Sequence, residues 1–188
     1  MKIRYMGAFE GKVEALPQAQ TVEGAQRLSE PGKPRDLVRK ANIGAAVLFL
    51  VLLALVILRG GIRSLHIGGV IAAALLILPR ELLRGVFYQE ECCFYLNFQE
   101  SMPFLTGAEH QSRIRFLLAT LAPDVLFGLI PLMLYFIWPS LSVLGTLGLL
   151  CLPMGCGDYI LAWLVLRQAP RDAVLYRQYF HTYWYLPA

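Results

Sequence analysis

Two arginines and a glutamate at the end of an apolar run are the residues best placed to do chemistry. Arg80, Glu81 and Arg84 follow residues 65–78, which are mostly apolar. Positions 80 and 84 lie four residues apart, so a helix presents them on one face with the glutamate beside them. Placing charged side chains at the end of a segment apolar enough to cross a membrane costs free energy. Such side chains therefore usually have a partner or a function.

The spacing of these residues matches His-Glu-x-x-His, the helical zinc motif in which two imidazoles bind the metal and the glutamate activates a water molecule. In this chain arginine stands at both histidine positions. A guanidinium stays protonated at any ordinary pH and has no free lone pair, so it cannot replace imidazole as a ligand. We therefore expect no zinc or other cofactor and no catalytic residues.

The segment resembles the His-Glu-Leu-x-His-Gly motif of the DUF3267 family, zincin-like membrane peptidases related in outline to the site-2 metalloproteases. Further similarities are Tyr5-Met6-Gly7, Glu14-Ala15-Leu16-Pro17, Gly24-Ala25, Ser29-Glu30-Pro31 and Gly155-Cys156-Gly157-Asp158, the last of which resembles the family's late Ser-Gly-Asp signature. The resemblance implies that Glu81 occupies the general-base position and Asp158 that of the third metal ligand. No family role can be assigned to Arg80 or Arg84, because both depart from the motif. The resemblance therefore implies a degenerate member of the family with a vestigial site.

The composition is that of an integral membrane protein. The chain has 188 residues, of which 57% are hydrophobic and 16% charged, and its mean hydropathy is +0.54. The net charge of +4 comes from basic residues beside apolar spans rather than from a separate basic module, which argues against a nucleic-acid partner. The lipid bilayer is the expected partner, and a membrane protein or a peptide is a further candidate.

The apolar runs predict an α-helical membrane domain of four transmembrane helices in residues 41–166. The first is the uncharged run 41–58, and the second ends in the arginine motif. Residues 125–157 contain no charge and hold parts of two more helices, with a turn at Trp138-Pro139-Ser140. A proline and two glycines interrupt the fourth helix just before Asp158, and local unwinding there is expected to aim its carboxylate inward.

Three segments outside the helices complete the predicted organisation. Residues 1–40 form a cytosolic N-terminal arm with a short strand near residues 2–5. Residues 86–115 alternate apolar and polar side chains, which predicts an extended or β-hairpin cytosolic insertion. This insertion is either an edge for peptide addition or a plain loop. Residues 167–188 form an aromatic-rich cytosolic tail, either as an interfacial belt or as a strand.

The isolated histidines and cysteines are not expected to bind metal. His66 is predicted to be a polar interfacial residue, His110 part of a solvated loop and His181 a structural member of the aromatic tail. The four cysteines lack the paired spacing of a zinc site, so they are predicted to be buried or interfacial free thiols.

Charge balance at the motif leaves two arrangements open. In a zinc site, Zn²⁺ bound by two neutral imidazoles would balance the two negative charges of Glu81 and Asp158. The guanidiniums of Arg80 and Arg84 supply the same two positive charges without a metal. A bridge from Asp158 to Arg80 or Arg84 would then link two helices as a metal does. In the other arrangement the arginines reach lipid headgroups and Asp158 pairs elsewhere.

Three functions follow from these arrangements. The preferred one is a non-catalytic relative of a zinc-dependent membrane peptidase that acts as a membrane binding or regulatory protein. The second is an active metallopeptidase with atypical ligands drawn from Cys156, Asp158 or His66. The third is a small transporter or scaffold in which the charged residues line a polar path.

The distribution of basic residues around the spans predicts that both termini are cytosolic. We expect the membrane to be the bacterial cytoplasmic membrane. We expect cysteines introduced near positions 30, 105 and 185 to be labelled only after the membrane is opened. A cysteine near position 61 should be labelled in intact cells. Labelling of position 105 from outside would contradict this topology.

Overall fold

The computed structural model describes residues 2–9, 16–29, 34–97, 102–178 and 181–187. Its helices are α1 Pro34–Gly60, α2 Ile67–Leu75, α3 Ile77–Gly85, α4 Arg113–Asp124, α5 Ile130–Ile137, α6 Ser142–Met154 and α7 Cys156–Gln168. Its strands are β1 Lys2–Ala8, β2 Gln26–Arg27, β3 Glu91–Asn97, β4 Met102–Gly107, β5 Gln111–Ser112, β6 Val174–Gln178 and β7 His181–Tyr185. The chain divides into a helical unit (residues 31–80 and 121–161) and a mixed unit (residues 1–30, 81–120 and 162–188).

Two helices are long and apolar enough to cross a membrane, Val38–Gly60 and Arg113–Ile137. Two further pairs qualify only if each bent pair is one span: Ile62–Leu75 with Ile77–Gly85, bent by 43°, and Ser142–Met154 with Cys156–Gln168, bent by 54°. The described part of the chain therefore offers two to four membrane spans. The exact number of four remains a prediction.

Prolines explain where the helices depart from regular α-geometry. A proline lacks the N–H for the i−4 hydrogen bond, and its ring crowds that carbonyl. Pro79 lies four residues after Leu75, where α2 ends. Pro123 and Pro131 flank Val125–Leu129, a π-helical turn that joins α4 to α5. The second predicted helix is therefore bent rather than straight, and the third contains a π-turn.

The core of the helical unit is formed by α1, α5 and α6. Its buried cluster consists of Leu52, Val56, Leu132, Tyr135 and Leu149. The hydroxyl of Tyr135 lies 3.0 Å from the carbonyl oxygen of Val56 and 2.7 Å from Ser64 Oγ, so the buried phenol is satisfied. Most of α1 nevertheless stays uncovered by protein, which suits a helix that faces lipid.

The mixed unit contains two small sheets. In one, β1 pairs in parallel with β3, and β3 pairs antiparallel with β4. In the other, the strand order is β2-β7-β6-β5 and all pairs are antiparallel. The predicted hairpin is therefore present as β3 and β4, the N-terminal strand as β1, and the tail forms strands β6 and β7. Cytosolic placement of these segments remains a prediction, and Glu14-Ala15 and Glu30-Pro31 of the N-terminal similarity lie outside the described residues.

The structure describes the surroundings of two histidines and of the four cysteines, whereas an interfacial position of His66 and a structural role of His181 remain predictions. His66 caps α2, because its Nδ1 accepts a hydrogen bond from the Gly68 N–H at 3.0 Å. His110 lies in a loop, as predicted, but the loop position is half-buried rather than solvated, since the imidazole stacks on Tyr176 at 4.8 Å between ring centroids. The four cysteines are free thiols, three of them buried, as predicted.

Glycines allow α6 to approach its neighbours closely. A Cβ at Gly148 would lie 2.6 Å from the Cβ of Leu132 and 2.7 Å from the carbonyl oxygen of Gly128. Because one of these atoms is backbone, the contact cannot be relieved by a rotamer change. A Cβ at Gly157, by contrast, meets no atom within 4 Å.

We expect Gly148→Ala to destabilise the protein in detergent by about 1–3 kcal/mol, the usual range for overpacking. Gly157→Ala is the matched control and should be neutral or slightly stabilising, since alanine is the better helix former. Thermal unfolding of both variants measures the difference. Equal stability of the two variants would contradict the close packing of α6.

Candidate functional site

The first arginine of the motif is buried in the helical unit and is bound on two sides. Arg80 is 4% exposed, and its Nη2 forms an ion pair with the carboxylate of Asp124. Its Nη1 donates a hydrogen bond to the carbonyl oxygen of Cys151 at 2.9 Å. The guanidinium on α3 therefore contacts α4 and α6 at once.

Asp124 ends α4 just before the π-turn and is 2% exposed. Two opposite charges so deeply buried are stable only if they remain paired and hydrogen-bonded. π-Turns are rare and often occur at functional positions. Here the turn begins at the residue after the buried carboxylate.

The break between α6 and α7 packs against this carboxylate. A Cβ at Gly155 would lie 2.3–2.4 Å from the three carboxyl atoms of Asp124, so only glycine fits at this position. The hydroxyl of Tyr159, one turn later, donates a hydrogen bond to the carbonyl oxygen of Leu152 at 3.0 Å. The break is thus shaped around Asp124.

In one of the two arrangements left open by the sequence, Asp158 bridges to Arg80 or Arg84, but the carboxylate that pairs with Arg80 is Asp124. Asp158 lies in the first turn of α7 and is partly exposed. The predicted interruption of the helix is present at Gly155, yet the carboxylate that packs against it is Asp124. The burial of Arg80 also excludes the alternative in which this arginine reaches lipid headgroups.

The other two motif residues belong to the mixed unit and pair with each other. Arg84 Nη1 lies 3.5 Å from Glu81 Oε1, and the two side chains are 21% and 16% exposed. This is an i,i+3 pair on one helix surface, which contributes only a few tenths of a kcal/mol. The glutamate at the general-base position is therefore beside a fixed positive charge.

The residues of this site do not fit a zinc ion. The guanidinium of Arg80 occupies the first imidazole position, has no lone pair to donate and already engages Asp124. Within the described residues, no group of three or more His, Cys, Asp or Glu side chains is arranged to hold a metal. Cys156, Asp158 and His66, the atypical ligands considered from the sequence, are not brought together as such a group.

Asp124 belongs to the candidate site, although the sequence patterns did not lead us to predict it. It is the only charged residue between Arg115 and Asp158, and it directly precedes the uncharged run 125–157. A lone acidic residue within a membrane-grade segment requires a buried cation as a partner. The isolated position of Asp124 is visible in the sequence. The hydrogen bond to the Cys151 carbonyl oxygen is not, because every residue has a backbone carbonyl.

One comparison with known proteins gave a match. The model of DUF3267, a family of putative zincin peptidases, matches residues 66–174, a range that includes the arginine motif, Asp124 and Asp158. No curated protein and no solved structure matched the chain.

We expect Asp124→Asn to destabilise the protein in detergent by about 3–5 kcal/mol, because it leaves the Arg80 guanidinium buried without a counter-ion. Asp158→Asn makes the same change at a partly exposed carboxylate and should cost much less. Chemical or thermal unfolding compares the two variants.

The double variant Arg80→Met/Asp124→Leu provides the control for lost charge. Replacing a whole buried ion pair with apolar side chains is often neutral or stabilising, so this variant should regain most of the loss. If Asp158→Asn is the more damaging single change, the ion pair of Arg80 has been assigned to the wrong carboxylate.

Proposed function

Since the chain belongs to the DUF3267 family, we propose that it is a non-catalytic member that acts as a membrane binding or regulatory protein. The observation that supports this proposal best is the buried ion pair between Arg80 and Asp124. It places a permanent cation, already neutralised by a carboxylate, at the first imidazole position of the zinc motif. We place the protein in the bacterial cytoplasmic membrane with both termini cytosolic.

The guanidinium can take over the structural role of a metal without its chemistry. A structural zinc ion holds elements together through ligands from different parts of the chain. Arg80 likewise joins α3 to the Asp124 carboxylate and to the Cys151 carbonyl oxygen. It offers no open coordination position, so it cannot lower the pKa of a water molecule as a catalytic zinc does.

Glu81 alone does not restore peptidase chemistry. The glutamate of a zinc peptidase works on a water molecule that the metal has made acidic. In this chain Glu81 lies 3.5 Å from Arg84, and a guanidinium does not make a water molecule acidic as a metal ion does. In this proposal the chain therefore shares descent and architecture with the site-2 metalloproteases, but not their peptidase chemistry.

An active metallopeptidase with atypical ligands is the competing function. It requires at least three donor side chains at one place. Elemental analysis of the purified protein distinguishes the two functions, and a transport assay on proteoliposomes addresses the third, a transporter or scaffold.

We expect the detergent-purified protein to contain well below one zinc per chain, because a guanidinium has no lone pair for the metal. Inductively coupled plasma mass spectrometry on protein purified without chelators measures the zinc content. About one zinc per chain, lost on substitution of Asp124 or Asp158, would contradict the non-catalytic assignment.

The variant Arg80→His/Arg84→His should gain zinc, since it restores two imidazoles at i and i+4 on one helix face. Zinc uptake by this variant should depend on Asp124, the carboxylate that contacts position 80. Adding Asp124→Asn or Asp158→Asn to it identifies the third ligand. A failure of every restored variant to bind zinc would argue that this helix face never resembled a metal site.

A further inference from the structure

A small cavity in the mixed unit has a lining rich in hydrogen-bond donors. Its polar lining includes Arg84, Tyr88, Gln111 and Arg177, and its apolar lining includes Phe116 and Ala119. No carboxylate lines it among the described residues. The cavity has room for about one water molecule, so it can admit the oxygen atoms of a ligand but not an apolar group.

Arg177 supplies a positive charge that no carboxylate in the described residues pairs with. Its Cζ lies 5.3 Å from the centroid of the Phe116 ring, a cation–π contact that holds the guanidinium at the cavity wall. Arg84, across the cavity lining, is partly compensated by Glu81. The nearby carboxylate of Glu109 is bound to Arg115. Among the described residues, the charged side chains that line the cavity are therefore two guanidiniums.

Gln111 contributes a buried donor without an acceptor. The residue is 2% exposed, and its Nε2 makes no hydrogen bond within the described structure. A buried amide N–H that lacks an acceptor is destabilising, and native proteins rarely retain one without a reason. An oxygen atom entering the cavity would satisfy it.

Tyr88 adds a neutral hydroxyl to the same wall. Burial raises the pKa of its phenol, while the charges of Arg177 and Arg84 act in the opposite direction. The net shift is upward, so the hydroxyl keeps its proton at neutral pH and can donate. Every polar side chain named here can therefore offer a hydrogen to an anion.

The cavity lies where two candidate membrane spans end. Arg84 is in the last turn of α3, which closes the bent span Ile62–Gly85, and Phe116 and Ala119 are in the first two turns of the span Arg113–Ile137. Residues at the ends of spans lie at the level of the lipid headgroups. Phosphate oxyanions are concentrated at that level.

We propose that this cavity binds the phosphate group of an anionic membrane lipid. Arginine forks suit phosphate oxygens, and the described lining offers two guanidiniums and no carboxylate to a phosphate diester. One phosphate oxygen would enter toward Gln111 while the rest of the headgroup stays at the opening. Free phosphate presents the same chemistry and is the other source that must be distinguished.

The test is a titration of the full-length protein in a neutral detergent with short-chain phosphatidylglycerol, short-chain phosphatidylcholine or inorganic phosphate. Thermal unfolding monitored by tryptophan fluorescence reports binding as stabilisation. We expect phosphatidylglycerol to bind at least about tenfold more tightly than phosphatidylcholine, because the choline cation of phosphatidylcholine offsets the charge of its phosphate and is repelled by the arginines of the lining.

Two variants and one control locate the binding site. Arg177→Gln and Gln111→Met should each weaken phosphatidylglycerol binding by about tenfold. Gln111→Met should also unfold at a higher temperature than the parent without lipid, because it removes an unsatisfied buried donor. Arg171→Gln removes the same charge from an exposed turn and should leave binding unchanged.

The outcomes separate the two sources of phosphate. Stabilisation by phosphatidylglycerol and not by inorganic phosphate supports a lipid site, and stabilisation by both with the same dependence on Arg177 supports a phosphate site open to either. Equal effects of Arg177→Gln and Arg171→Gln would show only a nonspecific charge effect and overturn the proposal. Equal binding of both lipids would overturn it as well.

Discussion

The helical unit depends on keeping one buried pair of charges together. Arg80 and Asp124 are almost fully enclosed, and separating them would leave an ion in an apolar environment at a cost of several kcal/mol. The surrounding backbone follows from this requirement. The Cys151 carbonyl oxygen accepts a second hydrogen bond from the guanidinium, and Gly155 allows the helix break to approach the carboxylate.

The same pair bears on the proposed replacement of histidine by arginine at position 80. A zinc site that loses a ligand would usually leave a polar cavity without its ion, which would destabilise the fold. Arg80 instead brings its own positive charge to Asp124, and this ion pair links α3 to α4. Arg84 behaves differently, since it stays partly exposed and pairs with Glu81. The two arginines of one motif therefore have separate roles, one within the helical unit and one beside the donor-lined cavity of the mixed unit.

Local sequence patterns predicted several elements correctly because those elements depend on local chemistry. The long apolar run of α1 and the alternation in β3 are visible within a few residues. The helix break near Gly155 follows from the glycines and proline around it. The parallel pairing of β1 with β3 joins segments more than 80 residues apart, so no local pattern indicates it.

The sequence alone determined the apolar segments that suit membrane spans, the family of the chain and the presence of arginine at positions 80 and 84, because composition and residue type settle each of these. Only the tertiary structure decided which carboxylate meets Arg80. Asp124 and Asp158 are both single acidic residues beside apolar helices, and local sequence ranks neither as the partner. The choice depends on how α4 and the α6–α7 break pack around α3, and this packing is a property of side chains distant in sequence. Burial then makes the chosen pair obligatory, since a buried charge has no solvent to replace a missing partner.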